Sequence, residues 1–369
     1  MDINKSELSS IATGPRLLCI GSVNIDEVYT VKSIVKEGET KSSKSRNIIA
    51  GGKAVCSDME ILILNSCFSQ NISGKGANLS VAGAKAGADV YLGAKIGQDG
   101  QWIRDLVSSI GVNTSMVITT SIATGRAIIQ VEEQSGENCI LLFDGANHSI
   151  TRDDVVQMCE PFNRGDWLAI QNEGSEVCFT IAHAIEKGMK VLWNPAPMEI
   201  SQPMSEMIPL VDVIVVNESE FRQMYAWVKK DLPEKFHNEA TVEAEERLLA
   251  YAKQANVKIL IMTRGAQGSV AVVRNHKADD YGLYSVPCGP VSPESIKDTT
   301  SAGDTWIGFF LASIIKSGGK EAQSLSVNQI IDAMKVASYA SGIGITRNGA
   351  IPSIPSLEEV ETCMATGKI

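Results

Sequence analysis

The segment Asp298-Thr-Thr-Ser-Ala-Gly-Asp304-Thr305 holds the strongest arrangement for chemistry in this sequence. Ser301, Ala302 and Gly303 are small, so the backbone there can approach a ligand closely. They precede the apolar stretch Asp304–Ser317, which ends at Gly318-Gly319 and reads as a helix. Unpaired N–H groups and the dipole at a helix N-terminus attract an anion. A carboxylate beside that anion, Asp304, can take a proton from an attacking hydroxyl. Asp304 can equally be a helix-capping acid, because Asp is favoured there. Spacing alone leaves the two readings level.

Five further segments have residue types that suit a ligand. Ser73-Gly-Lys-Gly-Ala-Asn78 is a glycine-rich turn into a helix over Leu79–Gly87. No G-x-x-x-x-G-K-[ST] exists in the chain, so it is not a P-loop. In Gly21-Ser-Val-Asn24-Ile-Asp26, the Asn and Asp lie two apart in extended chain and share a face. Such a polar pair suits sugar hydroxyls, or simply forms a turn. Asn217-Glu-Ser-Glu220 follows an apolar run, and its oxygens suit a hydrated Mg²⁺ or a solvated helix start. Thr263-Arg264-Gly265-Ala-Gln-Gly268 is a turn able to cradle phosphate or ribose, and Asn194-Pro-Ala-Pro197 is similar in character.

These segments need elements to hold them. Leu17–Ile20, Val90–Leu92, Trp167–Ile170, Val191–Trp193, Val213–Val216 and Ile259–Met262 are short, wholly apolar runs, as buried parallel strands are. Helical stretches such as Ser175–Lys187, Glu243–Asn256 and Ser326–Gly342 lie between or after them. The alternation predicts an α/β fold with a mostly parallel central sheet and helices on both faces. Ligands bind beyond the carboxyl ends of strands in such sheets. Regions 26–50 and 115–145 break the rhythm. Met116–Thr120 and Arg126–Glu132 read there as antiparallel strands of a small appended sheet, a lid.

The 369 residues carry 33 Lys plus Arg against 43 Asp plus Glu, a net charge of −10. That balance argues against sequence-independent nucleic-acid binding, which needs a basic footprint. No apolar run approaches the roughly 18 residues of a membrane span. The eight cysteines form no C-x-x-C pair, and the polar tail 1–15 lacks an apolar stretch and does not read as a secretory segment. A cytoplasmic chain is expected, with the nucleus as a second compartment. No G-x-G-x-x-G follows the first strand, so a dehydrogenase is disfavoured.

In order and spacing, the segments resemble the ribokinase family of sugar kinases from about residue 16 to 355. The resemblance implies a three-layer ribokinase-like fold with a β lid, in one kinase domain over 16–369. It implies ATP-dependent phosphorylation of the 5-hydroxyl of D-ribose, with Asp304 as base and the N–H groups of Ser301, Ala302 and Gly303 as anion hole. It assigns Asn24, Asp26, Gly74, Lys75, Asn78, Glu173 and Asp304 to the sugar. Asn194, Asn217, Thr263, Arg264, Gly265, Gly268, Gly303 and Ser338 are assigned to the nucleotide, and Glu220 to Mg²⁺. K⁺ is implied at Asp298, Thr300, Gly344, Arg347, Gly349 and Ser353, and a homodimer through the lid. Another sugar or nucleoside kinase of the family is the near alternative. A non-catalytic sugar- or nucleotide-binding protein is the distant one.

One departure stands out. The family reads Gly-Gly-Lys-Gly-Ala-Asn without a break. Here Ala50-Gly51-Gly52 and Lys75-Gly76-Ala77-Asn78 are separated by the 22 residues from Lys53 to Gly74. The interruption has no good periodicity. Codons for Gly52-Lys53 can contain GGTAAG and those for Ser73-Gly74 TCAGG, so splicing between them would restore the motif in frame. The segment is therefore read as a translated, unspliced intron, or else as a lineage-specific loop. A mature message encoding Lys53–Gly74 would sink the intron reading.

Overall fold

The computed structural model describes residues 14–47, 71–135, 137–199, 201–229, 241–275, 280–318 and 325–369. Most of the tail and of the interrupting segment lie outside them. The chain opens with β1 (Leu17–Ile20), β2 (Asn24–Val31), β3 (Ser45–Asn47), β4 (Asn71–Ser73) and α1 (Lys75–Lys85). Next come β5 (Val90–Gly97), α2 (Gln101–Ser109), β6 (Val117–Thr120), β7 (Gly125–Glu132), β8 (Asn138–Phe143) and α3 (Arg152–Cys159). The middle runs β9 (Trp167–Gln171), α4 (Val177–Glu186), β10 (Lys190–Asn194), α5 (Gln202–Met207), β11 (Val213–Asn217) and α6 (Glu218–Lys229). Then follow α7 (Thr241–Gln254), β12 (Ile259–Thr263), β13 (Ser269–Asn275), β14 (Asp280–Val286), α8 (Ala302–Gly318), α9 (Val327–Ile345) and α10 (Leu357–Thr366).

Among the described residues, the main sheet runs β14-β13-β12-β11-β10-β9-β1-β5-β6. Its pairs are parallel from β12 to β6, and only the pairs β12–β13 and β13–β14 are antiparallel, with β13 the one reversed strand. Alternation along β1 shows why its run is apolar throughout. Leu17 and Cys19 face one core with α1, α8 and α9, whereas Leu18 and Ile20 face the other with α3, α4, α6 and α7. A strand buried on both faces has no position for a polar side chain. Helix starts are locally encoded too. Ser326 and Gln329 form a reciprocal cap on α9, as Ser356 and Glu359 do on α10.

The second sheet runs β3-β2-β7-β8, with β4 also paired to β2. It is the expected small appended sheet, with two corrections: β7 pairs in parallel with β2 and antiparallel only with β8, and one expected strand belongs elsewhere. Val117–Thr120 is not a lid strand; β6 pairs in parallel with β5 at the edge of the main sheet. An edge strand has one wet face and so shows the same polar alternation as a lid strand. The lid is tied down by charge: Arg126 bonds Glu27 within the lid and Asp99 of the body at 2.8 Å.

The two short strands β3 and β4 share one edge of β2. β3 sets Asn47, Arg46 and Ser45 opposite Val28, Tyr29 and Thr30. β4 sets Ser73, Ile72 and Asn71 opposite Asn24, Ile25 and Asp26. Extended in its own register, β3 would bring residue 51 opposite Asn24, the place that Ser73 holds. The offset, 73 − 51 = 22, equals the length of the interruption.

Candidate active site

Asp304 lies in the first turn of α8 and is only 6% exposed. Its Oδ2 accepts from Asn78 Nδ2 at 2.9 Å and its Oδ1 from Gln171 Nε2 at 3.1 Å. Both bonds run to neighbouring elements rather than to its own helix, so the carboxylate does not act as a cap of α8. Burial pushes its carboxyl above the ordinary range, against the pull of Lys75, Asn78 and Gln171. A carboxylate so poised is a better proton acceptor than a solvated one.

Asp304 opens onto a cavity of about 230 Å³, lined among others by Lys75, Asn194, Asn217, Glu220, Thr263 and Ser301–Gly303. A Cβ built on Gly303 would meet nothing within 4 Å, so the first turn of α8 faces open space. The N–H of Ala302 already donates to Thr299 O at 3.2 Å, leaving it less available than the sequence reading expects. Ser301 has φ 58°, a left-handed conformation that is strained for serine. Its hydroxyl donates to Ala350 O at 3.2 Å.

The sugar-side residues gather where β1, β2 and α1 meet. Gly76 has to be glycine, because a Cβ there would come within 2.6 Å of Gly21. That contact brings the α1 N-terminus onto the end of β1. Lys75 N–H donates to Ser22 Oγ at 3.1 Å and Glu173 Oε2 at 3.2 Å. Burial lowers the Lys75 ammonium, but Asp304, Glu173 and Glu220 outweigh it and hold the group above its usual range. Burial raises Glu173, partly offset by Lys75. Asn78 Oδ1 is buried with no hydrogen-bond partner, an acceptor lacking its donor. Asn24 Oδ1 accepts from Asn147 Nδ2 at 2.8 Å, and Asp26 accepts from the Ser73 hydroxyl. Gly74, with φ 98°, leads from Ser73 into α1.

Of the residues expected to hold the nucleotide, Asn194, Asn217, Thr263, Arg264, Gly265 and Gly268 lie at or just beyond the ends of β10, β11 and β12, whereas Gly303 lies in α8 and Ser338 in α9. Asn217 and Glu220 bond reciprocally, N–H to Oε2 at 2.9 Å and N–H to Oδ1 at 2.8 Å. They therefore cap α6 and line the cavity at once. Asn194 Nδ2 donates to Val215 O at 2.9 Å and to Glu220 at 3.5 Å. Gly265 opens onto free space, Gly268 lies against Val286–Cys288, and the backbone of Ser338 lies against Gly289. The Arg264 guanidinium points elsewhere, pairing with Glu245 at 3.0 Å and only 4% exposed. It has a structural partner and does not line the cavity.

Two loops meet behind the anion site. Asp298 Oδ1 accepts from Thr300 N–H and Oγ1 at 2.9 and 2.7 Å, and Oδ2 from Gly349 N–H at 2.9 Å. Gly344 lies beside Ser353 O. The Arg347 side chain is turned to Glu359, so only its backbone is on offer. Among the described residues no group of three His, Cys, Asp or Glu could hold a metal alone. That fits a hydrated Mg²⁺ bound through one carboxylate and phosphates, and a monovalent cation bound by carbonyls. Gln171, Ser22 and Asn147 escape the sequence reading. Gln171 ends a central strand at its carboxyl end, the one signal that could find it.

A buried carboxylate, a helix start open to a cavity and a polar cleft at the sheet's carboxyl edge are the parts a small-molecule kinase needs. The match to known proteins narrows this: the chain belongs to the pfkB family of carbohydrate kinases, whose model matches residues 57–357. It is 29% identical over 350 residues to ribokinase of Staphylococcus aureus, covering 94% of this chain and 98% of the relative. It is 31% identical over 360 residues to ribokinase of Schizosaccharomyces pombe, covering 94% and 96%. The crystal structure of ribokinase from Cryptococcus neoformans with ADP superposes with TM-score 0.70 at 27% identity, covering 94% and 99%.

Proposed function

We propose that this chain transfers the γ-phosphoryl group of ATP to the 5-hydroxyl of D-ribose. The observation that carries the reading is Asp304, buried and held by two amides at an anion-facing helix start. The ribose hydroxyl gives its proton to Asp304, its oxygen bonds to the γ-phosphorus, and the bond to the β-phosphate oxygen breaks, releasing ADP. The N–H groups at the start of α8 and the Lys75 ammonium face the charge on the transferring group. Asn24, Asp26, Lys75, Asn78 and Glu173 hold the sugar. Asn194, Asn217, Thr263, Gly265, Gly268 and Ser338 hold the nucleotide. Glu220 would hold hydrated Mg²⁺, which when bound neutralises phosphate charge. Asp298, Thr300 and the carbonyls of loop 344–353 would hold K⁺. The relatives' names support ribose as the acceptor.

A coupled assay with Mg-ATP, ribose, deoxyribose, fructose and adenosine tests this, in K⁺ and with K⁺ replaced by choline. Ribose should be preferred and the rate should fall without K⁺. Asp304→Asn should lower kcat by roughly 10²–10⁴ with folding intact. Unchanged turnover in that variant removes Asp304 from the mechanism, and preference for another acceptor removes ribose.

A further inference from the structure

We propose that Ser73 is a specificity-determining residue, whose hydroxyl occupies on Asp26 the place a sugar hydroxyl would take. The inference rests on the sugar-kinase reading above. Asp26 is 2% exposed and accepts through Oδ1 from Ser73 Oγ. Ser73 stands directly opposite Asn24, so its side chain shares the face on which Asn24 and Asp26 lie. At this strand position the uninterrupted motif has a glycine. Extending β3 in register puts Gly51 there, and joining Gly52 to Lys75 does the same. Glycine has no donor, and Asp26 would then be open to the ligand.

The consequence is competition for one acceptor. A sugar hydroxyl that donates to Asp26 Oδ1 has to displace the Ser73 hydroxyl first, and so gains little. A sugar lacking that hydroxyl loses less, because the Ser73 hydroxyl still donates to Oδ1. A site built to hydrogen-bond a hydroxyl rejects the deoxy analogue strongly, since its buried group is left unpaired. With Ser73 present, that discrimination is flattened.

The test compares the native chain with Ser73→Gly and Ser73→Ala. KM and kcat are measured for ribose, 2-deoxyribose and 3-deoxyribose, one deoxy arm for each of two hydroxyls Asp26 could receive. Both variants should lower KM for ribose by about tenfold or more, the scale of a hydrogen bond to a charged group, with a smaller change in kcat. The preference for ribose over one of the deoxy sugars should widen by a similar factor. A merely looser lid would not single out one hydroxyl. Turnover with unchanged KM and selectivity overturns this inference alone. A gain in Ser73→Gly but not in Ser73→Ala assigns the effect to bulk and also overturns it. No ribose turnover by any of the three proteins overturns the kinase reading, and this inference with it.

Discussion

Burial acts on Asp26 as it does on Asp304, with fewer groups to oppose it. Its pKa is raised by burial from 3.8 to about 6, with only the Ser73 hydroxyl pulling it down. The folded chain thus binds this proton more tightly than the unfolded chain. The contribution favours folding below the unfolded value and is lost as pH rises through about 6. Above that, the ionised carboxylate costs on the order of 2–3 kcal/mol. Asp26→Asn should therefore stabilise the fold by about 2 kcal/mol at pH 8 and not at pH 4, while weakening sugar binding. Urea unfolding at the two pH values measures it, and a gain independent of pH would sink it. A site carboxylate kept at such a cost is the expected trade between stability and function. At this scale the helix start at Asp304 was legible from its small residues, but whether its acid caps the helix or faces a cleft was not, until its bonds to Asn78 and Gln171 were seen. Gln171 was not: a Gln closing an apolar strand carries no pattern until Asn78 and Asp304 are seen beside it. Arg264 was misleading because sequence does not say which way a side chain turns.

The central strands were legible as elements because a strand covered on both faces is apolar along its covered length, as β1 is and as β9 and β11 are up to their last residues, Gln171 and Asn217. Their helices follow from the 3.6-residue period and from side-chain caps such as Ser326 and Gln329. Half-exposed strands carry no such mark of the sheet they belong to. That is why β6 reads as lid, and why the antiparallel hairpin β13–β14 goes unassigned. β8 is the extreme case. Ile140, Leu141, Leu142 and Phe143 are 53, 65, 53 and 49% exposed, at the outer edge of the lid sheet. A run of exposed apolar residues on an edge strand marks an association surface. The homodimer through the lid that the family resemblance implies would cover it. The double substitution Ile140→Glu, Leu141→Glu charges both faces of β8. It should convert a dimer into a monomer in sedimentation, and a native chain that sediments as a monomer would refute that dimer.

The strand register ties the interruption to the whole molecule. Pairing along β3 and along β4 differs by the 22 residues that split the glycine motif, so the two strands lie where one uninterrupted strand would run. Removing residues 53–74 would let β3 continue along β2, with Gly51 opposite Asn24 and Gly52 leading into Lys75. No pairing elsewhere in either sheet would have to change. Closing the chain between Asn47 and Asn71 has an entropic cost of about 1–3 kcal/mol that the shortened chain avoids. The chain lacking 53–74 should accordingly unfold in one cooperative transition at a temperature equal to or above that of the full chain. It should also match Ser73→Gly in its lowered KM for ribose, because both place glycine against Asp26. Calorimetry and the coupled assay read the two outcomes separately. A shortened chain that fails to fold would make the segment an integral part of the lid. One that folds with the full chain's KM would mean that the glycine pair does not act through the sugar. Either outcome would leave the 22-residue offset between β3 and β4 without a functional meaning.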